Sequence, residues 1–296
     1  MEADRIAIVT SGAGFAYDAD LPLLVDALRE AGTTAEAVAW DADPAVWGRY
    51  DLAVIRSTWD YAGRVEEFLA WADTAGAATR LWNPPATVRW NSDKHYLRDL
   101  AARSVPVVPT RYLEPGETCT EKDFESADGI VVKPVVSASA QDTARYAPGQ
   151  ESLARQHAEA LLSRGRGVMV QPYLHRVAEG ERALVFFNGV FSHAIRKGPL
   201  LTEAGVIDND RAPHPDVVAY QPSAAELDTA RAALAAAPAP QPPLFARVDL
   251  ALDDLGEPVL MELELIEPDL FLSHDPAAVS RFTRAVTDRL AQDRTG

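Results

Sequence analysis

The stretch FARVDLALDDLGEPVLMELELIEPDLF, residues 245–271, contains two short runs in which apolar and charged residues alternate, joined by DDLGEP. Asp, Gly and Pro in the connection suit a tight turn between antiparallel strands. Pairing Asp253 with Pro258 then sets Asp249 opposite Glu262 and Arg247 opposite Glu264. Successive side chains of a strand point to opposite faces, so Arg247, Asp249, Glu262 and Glu264 share one face. Val248, Leu250, Met261, Leu263 and Leu265 share the other, which reads as core. Two directly opposed carboxylates cost on the order of 0.2–1 kcal/mol even where solvated. Two readings fit the charged face: a hydrated sheet surface on which Arg247 pairs with Glu264, or a site for a divalent ion. Hard oxygen ligands converging from adjacent strands suit Mg²⁺ bridging nucleotide phosphates.

Upstream, RIAIVT, an apolar-periodic run over 21–29, DLAVIR and a helical stretch over 65–72 alternate as a βαβ unit with parallel strands. SGAGF after the first strand lacks the third glycine of a dinucleotide fingerprint and a following Walker lysine, so it reads as a plain turn. Asn83 to Pro85 breaks the pattern, and Asn91 or Ser92 is placed to cap a helix running through Lys94 to Ala102. GIVVKPVV, a helical run over 151–162 and VMVQPY form a small α+β lobe. Asn188-Gly189 between RALVFF and VFSHAIR is a strong hairpin signal. A turn-rich stretch over 198–222 reads as a mobile loop or lid. Ser223 and Glu226 have capping-box spacing for an Ala-rich helix that ends at PAPQPP. A last helix is expected around 277–290. The chain therefore divides into 1–103, 104–173 and 174–296, a mixture of α/β and α+β.

Composition bounds the function. The 296 residues are 47% apolar and 24% charged, as in a folded soluble protein. The opening MEADRIAIVTSG puts acids where a secretory signal needs basic residues, and no run reaches bilayer length, so a cytoplasmic location is expected. The lone Cys119 excludes an internal disulfide and a multi-cysteine metal site. A formal charge of −16 argues against nucleic acid, which is gripped by clustered cations. Only Lys94, Lys122, Lys133 and Lys197 among the 28 basic residues are lysines. Each lysine therefore marks a candidate position for a compact ammonium on a flexible stem; compositional chance suffices for Lys122. The six histidines form no metal pair or triad.

Taken together, these residues resemble the ATP-grasp ligases, the superfamily of glutathione synthetase and D-alanine:D-alanine ligase, in which the last two strands of the large ATP lobe carry Arg-x-Asp and Glu-x-Asn. Arg247-Val248-Asp249 and Glu262-Leu263-Glu264 match in order and separation. The resemblance implies an ATP-grasp fold, with an N-terminal parallel-sheet domain and two α+β lobes enclosing ATP. It implies that Lys94 and Lys133 contact phosphates, that Gln171-Pro172-Tyr173 is the hinge meeting adenine and that Glu181 holds the ribose. Lys197 would reach the terminal phosphates. Asp249, Glu262 and Glu264 would hold one or two Mg²⁺ ions, and Arg247 would face the transferring phosphoryl group. Two departures stand out: Glu264 replaces Asn, adding charge, and the phosphate-covering loop is Ser137-Ala138-Ser139-Ala140 rather than Gly-rich. RSTWDY (56–61), LWNPP, RWNSDK and MELELIEPDLF also resemble a narrower bacterial group that includes D-cycloserine synthetase, a cyclo-ligase acting on O-ureido-D-serine.

The implied chemistry turns a carboxylate, a poor electrophile, into an acyl phosphate that a nitrogen then attacks. Positioning and charge neutralisation are the protein's share. The substrate is a small amino-acid-like molecule, and a homo-oligomer is compatible. At the C-terminal end of DLAVIR, the usual binding edge of a parallel sheet, Arg56, Ser57, Thr58 and Asp60 are candidate substrate contacts. For Arg56 and Asp60 a local salt bridge is the equal alternative, and Trp59 and Tyr61 read as packing residues. Rival functions are a glutathione synthetase-like ligase joining two amino acids, a nucleotide-binding module without catalysis, and a plain α/β small-molecule binder.

Overall fold

The computed structural model describes residues 3–138, 140–210, 216–238 and 242–292. β1 (Arg5–Thr10), β2 (Thr34–Ala39), β3 (Leu52–Ser57) and β4 (Arg80–Trp82) form a parallel sheet in the order β2-β1-β3-β4. Ile6 to Val9 and Leu52 to Ile55 are buried throughout, the near-continuous apolar pattern of parallel strands covered on both faces. Helices α1 (Gly12–Tyr17), α2 (Asp20–Glu30) and α3 (Val65–Ala78) connect the strands. Ser11 caps α1 by accepting from Gly14 N. At Gly14 the backbone comes so close to β3 that an added Cβ would lie 2.1 Å from Thr10 Oγ1 and 2.4 Å from the Ser57 carbonyl. The glycine thus serves close packing of helix on sheet.

The helix expected through Lys94 divides in two. α4 (Pro85–Asn91) stops at Asn91, and α5 (Tyr96–Ala102) starts after a turn that holds Lys94. Asn91 and Ser92 are not N-caps; the Asn91 side chain bonds the backbone of Leu263 and Leu265 instead.

β5 (Arg111–Leu113), β6 (Ile130–Pro134), β7 (Ala144–Tyr146) and β8 (Val168–Pro172) make a small antiparallel sheet ordered β5-β8-β6-β7. α6 (Glu151–Leu162) packs on it through Ala154, Ala158 and Leu161. β9 (Glu181–Phe187), β10 (Val190–Lys197), β11 (Val218–Tyr220), β12 (Phe245–Leu252) and β13 (Pro258–Glu264) form the larger antiparallel sheet, ordered β11-β10-β9-β12-β13. Asn188 and Gly189 take φ of 48° and 76° at the β9–β10 turn, the left-handed pair that a two-residue hairpin requires. α7 (Ala224–Ala236), opened by the Ser223–Glu226 capping box, and α5 cover one face of this sheet over Leu184, Phe186, Val248, Leu250, Leu263 and Leu265. α8 (Ala278–Gln292) packs Phe282 against Phe187 and joins the sheet to α2.

The long stretch after β10 is tied down over much of its described length. β11 lies within it, Arg145 Nη2 donates to the Thr202 carbonyl at 2.6 Å, and Gln141 Nε2 donates to the Asn209 carbonyl at 2.9 Å. Residues 200–210 therefore strap the large sheet to the small one. Among the described residues, no helix is long and apolar enough to cross a membrane.

Candidate active site

The register of β12 on β13 places Asp249 opposite Glu262 and Arg247 opposite Glu264. Leu252, not Asp253, pairs with Pro258, because the register shifts between Asp249 and Leu250. This bulge turns Met261 away from the core, and it lines the cleft with the carboxylates. A bulge adds one residue to a strand and re-aims the neighbouring side chains.

β13 is an edge strand, and side chains from the preceding segment occupy its outer edge. Asn91 Nδ2 donates to the Leu263 carbonyl at 2.8 Å, and Asn91 Oδ1 accepts from Leu265 N at 2.7 Å. Tyr96 Oη accepts from Leu263 N at 2.9 Å. Further on, Asn83 Nδ2 donates to the carbonyls of Leu265 and Phe245 at 2.7 and 3.0 Å. Buried backbone polar groups need partners, and here the partners also fix the strand that carries Glu262 and Glu264.

A cavity of about 580 Å³ lies between the small sheet and the charged face of the large one. Val108, Val131, Leu174, Val177 and Met261 line one part of it, beside Gln171, Pro172 and Tyr173. Gln171 points away, donating from Nε2 to Thr110 Oγ1 at 2.8 Å, while Tyr173 N bonds the Gly129 carbonyl and its ring lies under Arg145. Lys94, Lys133, Lys197, Arg247, Glu181, Asp249, Glu262 and Glu264 line the middle. Ser137 and Ala138 of the small-residue loop border it; Ser139 lies outside the described residues.

Most of these charges neutralise one another. Lys197 Nζ is 2.8 Å from Asp249 Oδ2 and 3.1 Å from Glu181 Oε2. Arg247 grips Asp249 through Nε at 2.9 Å and Nη2 at 3.0 Å, also contacts Glu264, and donates from Nη1 to the Asp269 carbonyl at 3.0 Å. Lys94 Nζ is 3.1 Å from Glu262 Oε1 and donates to the Ser137 carbonyl at 2.8 Å. Burial alone would raise the Asp249 carboxyl, but Arg247 and Lys197 hold it well below the usual carboxylate range. Burial likewise opposes ionisation of Glu262, and Lys94 with Lys133 reverses it, so that carboxyl is also lowered. For Glu264, burial and the neighbouring Asp249 and Glu262 outweigh Arg247 and push it up to about 7. Burial pushes Glu267 up to about 8, and Glu264 adds to the effect.

Six carboxylates thus line the cleft against four cations, Asp269 being the sixth acid. No group of three His, Cys, Asp or Glu converges as a preformed metal cage among the described residues. The donor set nonetheless fits a hard divalent cation: the oxygens of Asp249, Glu262 and Glu264 lie on adjacent strands, and such an ion would offset both the burial and the neighbouring carboxylates that raise Glu264.

The residues after β3 distribute unlike the sequence expectation. Arg56 is buried, with Nε 3.1 Å from Asp18 Oδ2, Nη2 3.3 Å from Asp20 Oδ2 and 3.8 Å from Asp269 Oδ1, and Nη1 bonded to the Pro268 carbonyl. Its salt bridges run to these acids, not to Asp60. Ser57 is buried with its Oγ 2.7 Å from Thr10 Oγ1, and Thr58 is fully buried. Asp60 accepts from Trp40 Nε1 at 2.9 Å. None of these four lines the cleft; Trp59 and Tyr61 do, together with Tyr17, Glu267 and Asp269. Sequence reasoning did not single out Glu267 and Asp269, whose signal was EPD two residues beyond the Glu-x-Glu strand.

Comparison with known proteins agrees with this geometry. The chain is 36% identical over 300 residues to the cycloserine biosynthesis protein DcsG of Streptomyces lavendulae, covering 96% of this chain and 98% of that one. It belongs to the D-cycloserine synthetase family. A family model described as the N-terminal domain of D-cycloserine synthetase DcsG matches residues 6–83. The crystal structure of D-cycloserine synthetase DcsG superposes with a TM-score of 0.88 at 36% identity, over 97% of this chain and 99% of that one. The D-alanine–D-alanine ligase of Bacillus anthracis complexed with ATP gives 0.69 at 15% identity, over 99% of this chain and 100% of that one, a likeness of fold. The fold is ATP-grasp, and this family member is a ligase.

Proposed function

We propose that the chain activates the carboxylate of a small amino-acid-like substrate with ATP and closes a carbon–nitrogen bond within the same molecule, as in D-cycloserine synthesis from O-ureido-D-serine. The observation that carries this reading is one cavity that gathers Lys94, Lys133, Lys197 and Arg247 with Asp249, Glu262 and Glu264 beside an apolar slot. Adenine would occupy the slot bounded by Val108, Val131, Leu174 and Met261, with the hinge at 171–173 along its edge. Lys94, Lys133 and Lys197 would hold the phosphates, Lys94 and Lys197 exchanging their present carboxylate partners for phosphate oxygens. Asp249, Glu262 and Glu264 would hold one or two Mg²⁺ ions, whose chemistry is to neutralise phosphate charge.

A substrate carboxylate oxygen then attacks the γ-phosphorus, and ADP leaves. The oxygen-bound nitrogen of the ureido group attacks the acyl carbon, phosphate departs with the electron pair, and the nitrogen gives up its proton; water then hydrolyses the carbamoyl group left on that nitrogen, releasing carbon dioxide and ammonia. Arg247, held by Asp249 and the Asp269 carbonyl, would face the transferring group, and a side chain already fixed in place would need little reorganisation as charge develops. Segments 104–173 and 174–296 would form the nucleotide-binding lobes, and 1–103 the substrate side. The test is ADP release with O-ureido-D-serine as sole carboxylate. ADP and cyclic product in equal amounts are expected; a requirement for a second amino acid would favour the peptide-ligase alternative.

A further inference from the structure

Two charged side chains in the cleft stand apart from its ion-pair network. Among the described residues, neither Lys133 nor Glu267 has a hydrogen bond or ion pair to its charged group. Lys133 lies in the middle of the cleft with the other two lysines, where an anion is expected. Glu267 lines the same cleft as Trp59, Tyr61 and Tyr17, close enough to Glu264, Lys94, Glu262 and Arg247 to feel their charges. A half-buried carboxylate without an ion-pair partner is stabilised when a ligand supplies its counter-charge.

The backbone around Glu267 is held firmly. Its carbonyl accepts from Trp59 Nε1 at 3.1 Å, and the next carbonyl, that of Pro268, accepts from the buried Arg56. Trp59 is fixed by that bond, and Tyr61 is buried against Phe68, with ring centroids 4.7 Å apart. A carboxylate on a firmly held backbone, in a cleft that aromatic rings also line, suits an ammonium, because a ring face attracts positive charge while the carboxylate accepts the N–H bonds. Burial and Glu264 already push the Glu267 carboxyl up to about 8, a disfavoured anion that an adjacent cation would relieve. Glu264, whose charge Glu267 feels, borders the phosphate region, so a cation at Glu267 would sit close to the carboxylate being activated.

We propose that Glu267 is the residue that recognises the substrate's protonated α-amino group, with Trp59 and Tyr61 as the walls of that subsite. The inference rests on the ligase reading and deepens it by assigning the residue that reads the amino end of the amino-acid substrate. Arg56, buried beneath the subsite, positions its backbone and does not touch substrate.

The experiment compares kcat/KM from ADP release for an O-ureido amino acid and for the same acid without its α-amine, in wild type and Glu267→Gln. Losing a charge-assisted contact is worth roughly 10- to 100-fold. The wild type is expected to prefer the amine-bearing acid by that factor, mainly through KM, and Glu267→Gln to lose the preference. Equal use of both acids by the wild type would overturn the proposal without any variant. So would a Glu267→Gln protein that keeps the full preference, or one that loses both substrates in equal proportion. The shift in unfolding midpoint with Mg²⁺-ATP, measured on both proteins without acid, checks their folding. Its absence in wild type would instead overturn the ligase reading.

Discussion

Replacing Asn91 by alanine removes two buried hydrogen bonds from the outer edge of β13 and leaves the Leu263 carbonyl and the Leu265 N–H without those partners. Asn91 is 8% exposed, so water cannot readily substitute. Stranding a buried backbone donor or acceptor costs about 1–3 kcal/mol each, and the two together should cost about 3 kcal/mol. For a chain of this size that corresponds to a midpoint lower by about 5 °C. Both groups flank Glu264, so a loosened edge should also weaken whatever the Glu262–Glu264 face binds. Thermal unfolding of the Asn91→Ala protein with and without Mg²⁺-ATP reads both effects. A midpoint within about 1 °C of wild type, with an unchanged ATP-dependent shift, would refute the claim that this side chain holds the strand.

Two further outcomes stem from the charges. Lys133→Met removes an ammonium that burial pushes below its ordinary range and that has no ion-pair partner among the described residues, so the free protein should unfold at the same or a higher temperature. Its nucleotide affinity should fall about tenfold or more; a less stable free protein with undiminished affinity would contradict this. Burial also pushes His193 below the usual imidazole range, despite its bond to the Leu270 carbonyl at 2.8 Å. The fold favours the neutral ring, so the stabilisation is present above about pH 6.5 and is lost as pH falls below it. The stability gap between wild type and His193→Gln, from urea unfolding, should therefore narrow from pH 7.5 to 5.5. A constant gap would show that His193 does not titrate with folding.

Much of the fold could be read from strand alternation, because a half-buried strand writes its faces into the sequence. The opposition of Asp249 to Glu262 and the Asn188-Gly189 hairpin are both of this kind. The bulge beyond Asp249 was not legible: one residue of slippage leaves the alternation of LMELEL unchanged while moving Met261 into the cleft. Helix propensity from 91 to 102 gave no warning that the chain turns at Lys94, since the turn is fixed by a distant bond, Lys94 N to the Val135 carbonyl at 2.9 Å. Asn91 and Asn83 were equally opaque, because capping is a local use of asparagine and edge-bridging a long-range one. Arg56 read as a candidate ligand because it follows a parallel strand, yet three acids from other parts of the chain bury it. Residue types at the site were thus visible where backbone periodicity fixed them, and invisible where tertiary partners did.

On the function proposed, Asp249 and Glu262 form, with the lysines, a site for metal-bound nucleotide. The most direct test is thermal unfolding in Mg²⁺ with and without ATP, for wild type and Asp249→Asn/Glu262→Gln. Ligand at about 100 times its dissociation constant stabilises the native state by about 2.7 kcal/mol, so wild type should show a clear Mg²⁺-dependent rise with ATP that the double variant lacks. An identical rise in both proteins, or none in wild type at saturating nucleotide, would contradict a metal–nucleotide role for these two carboxylates.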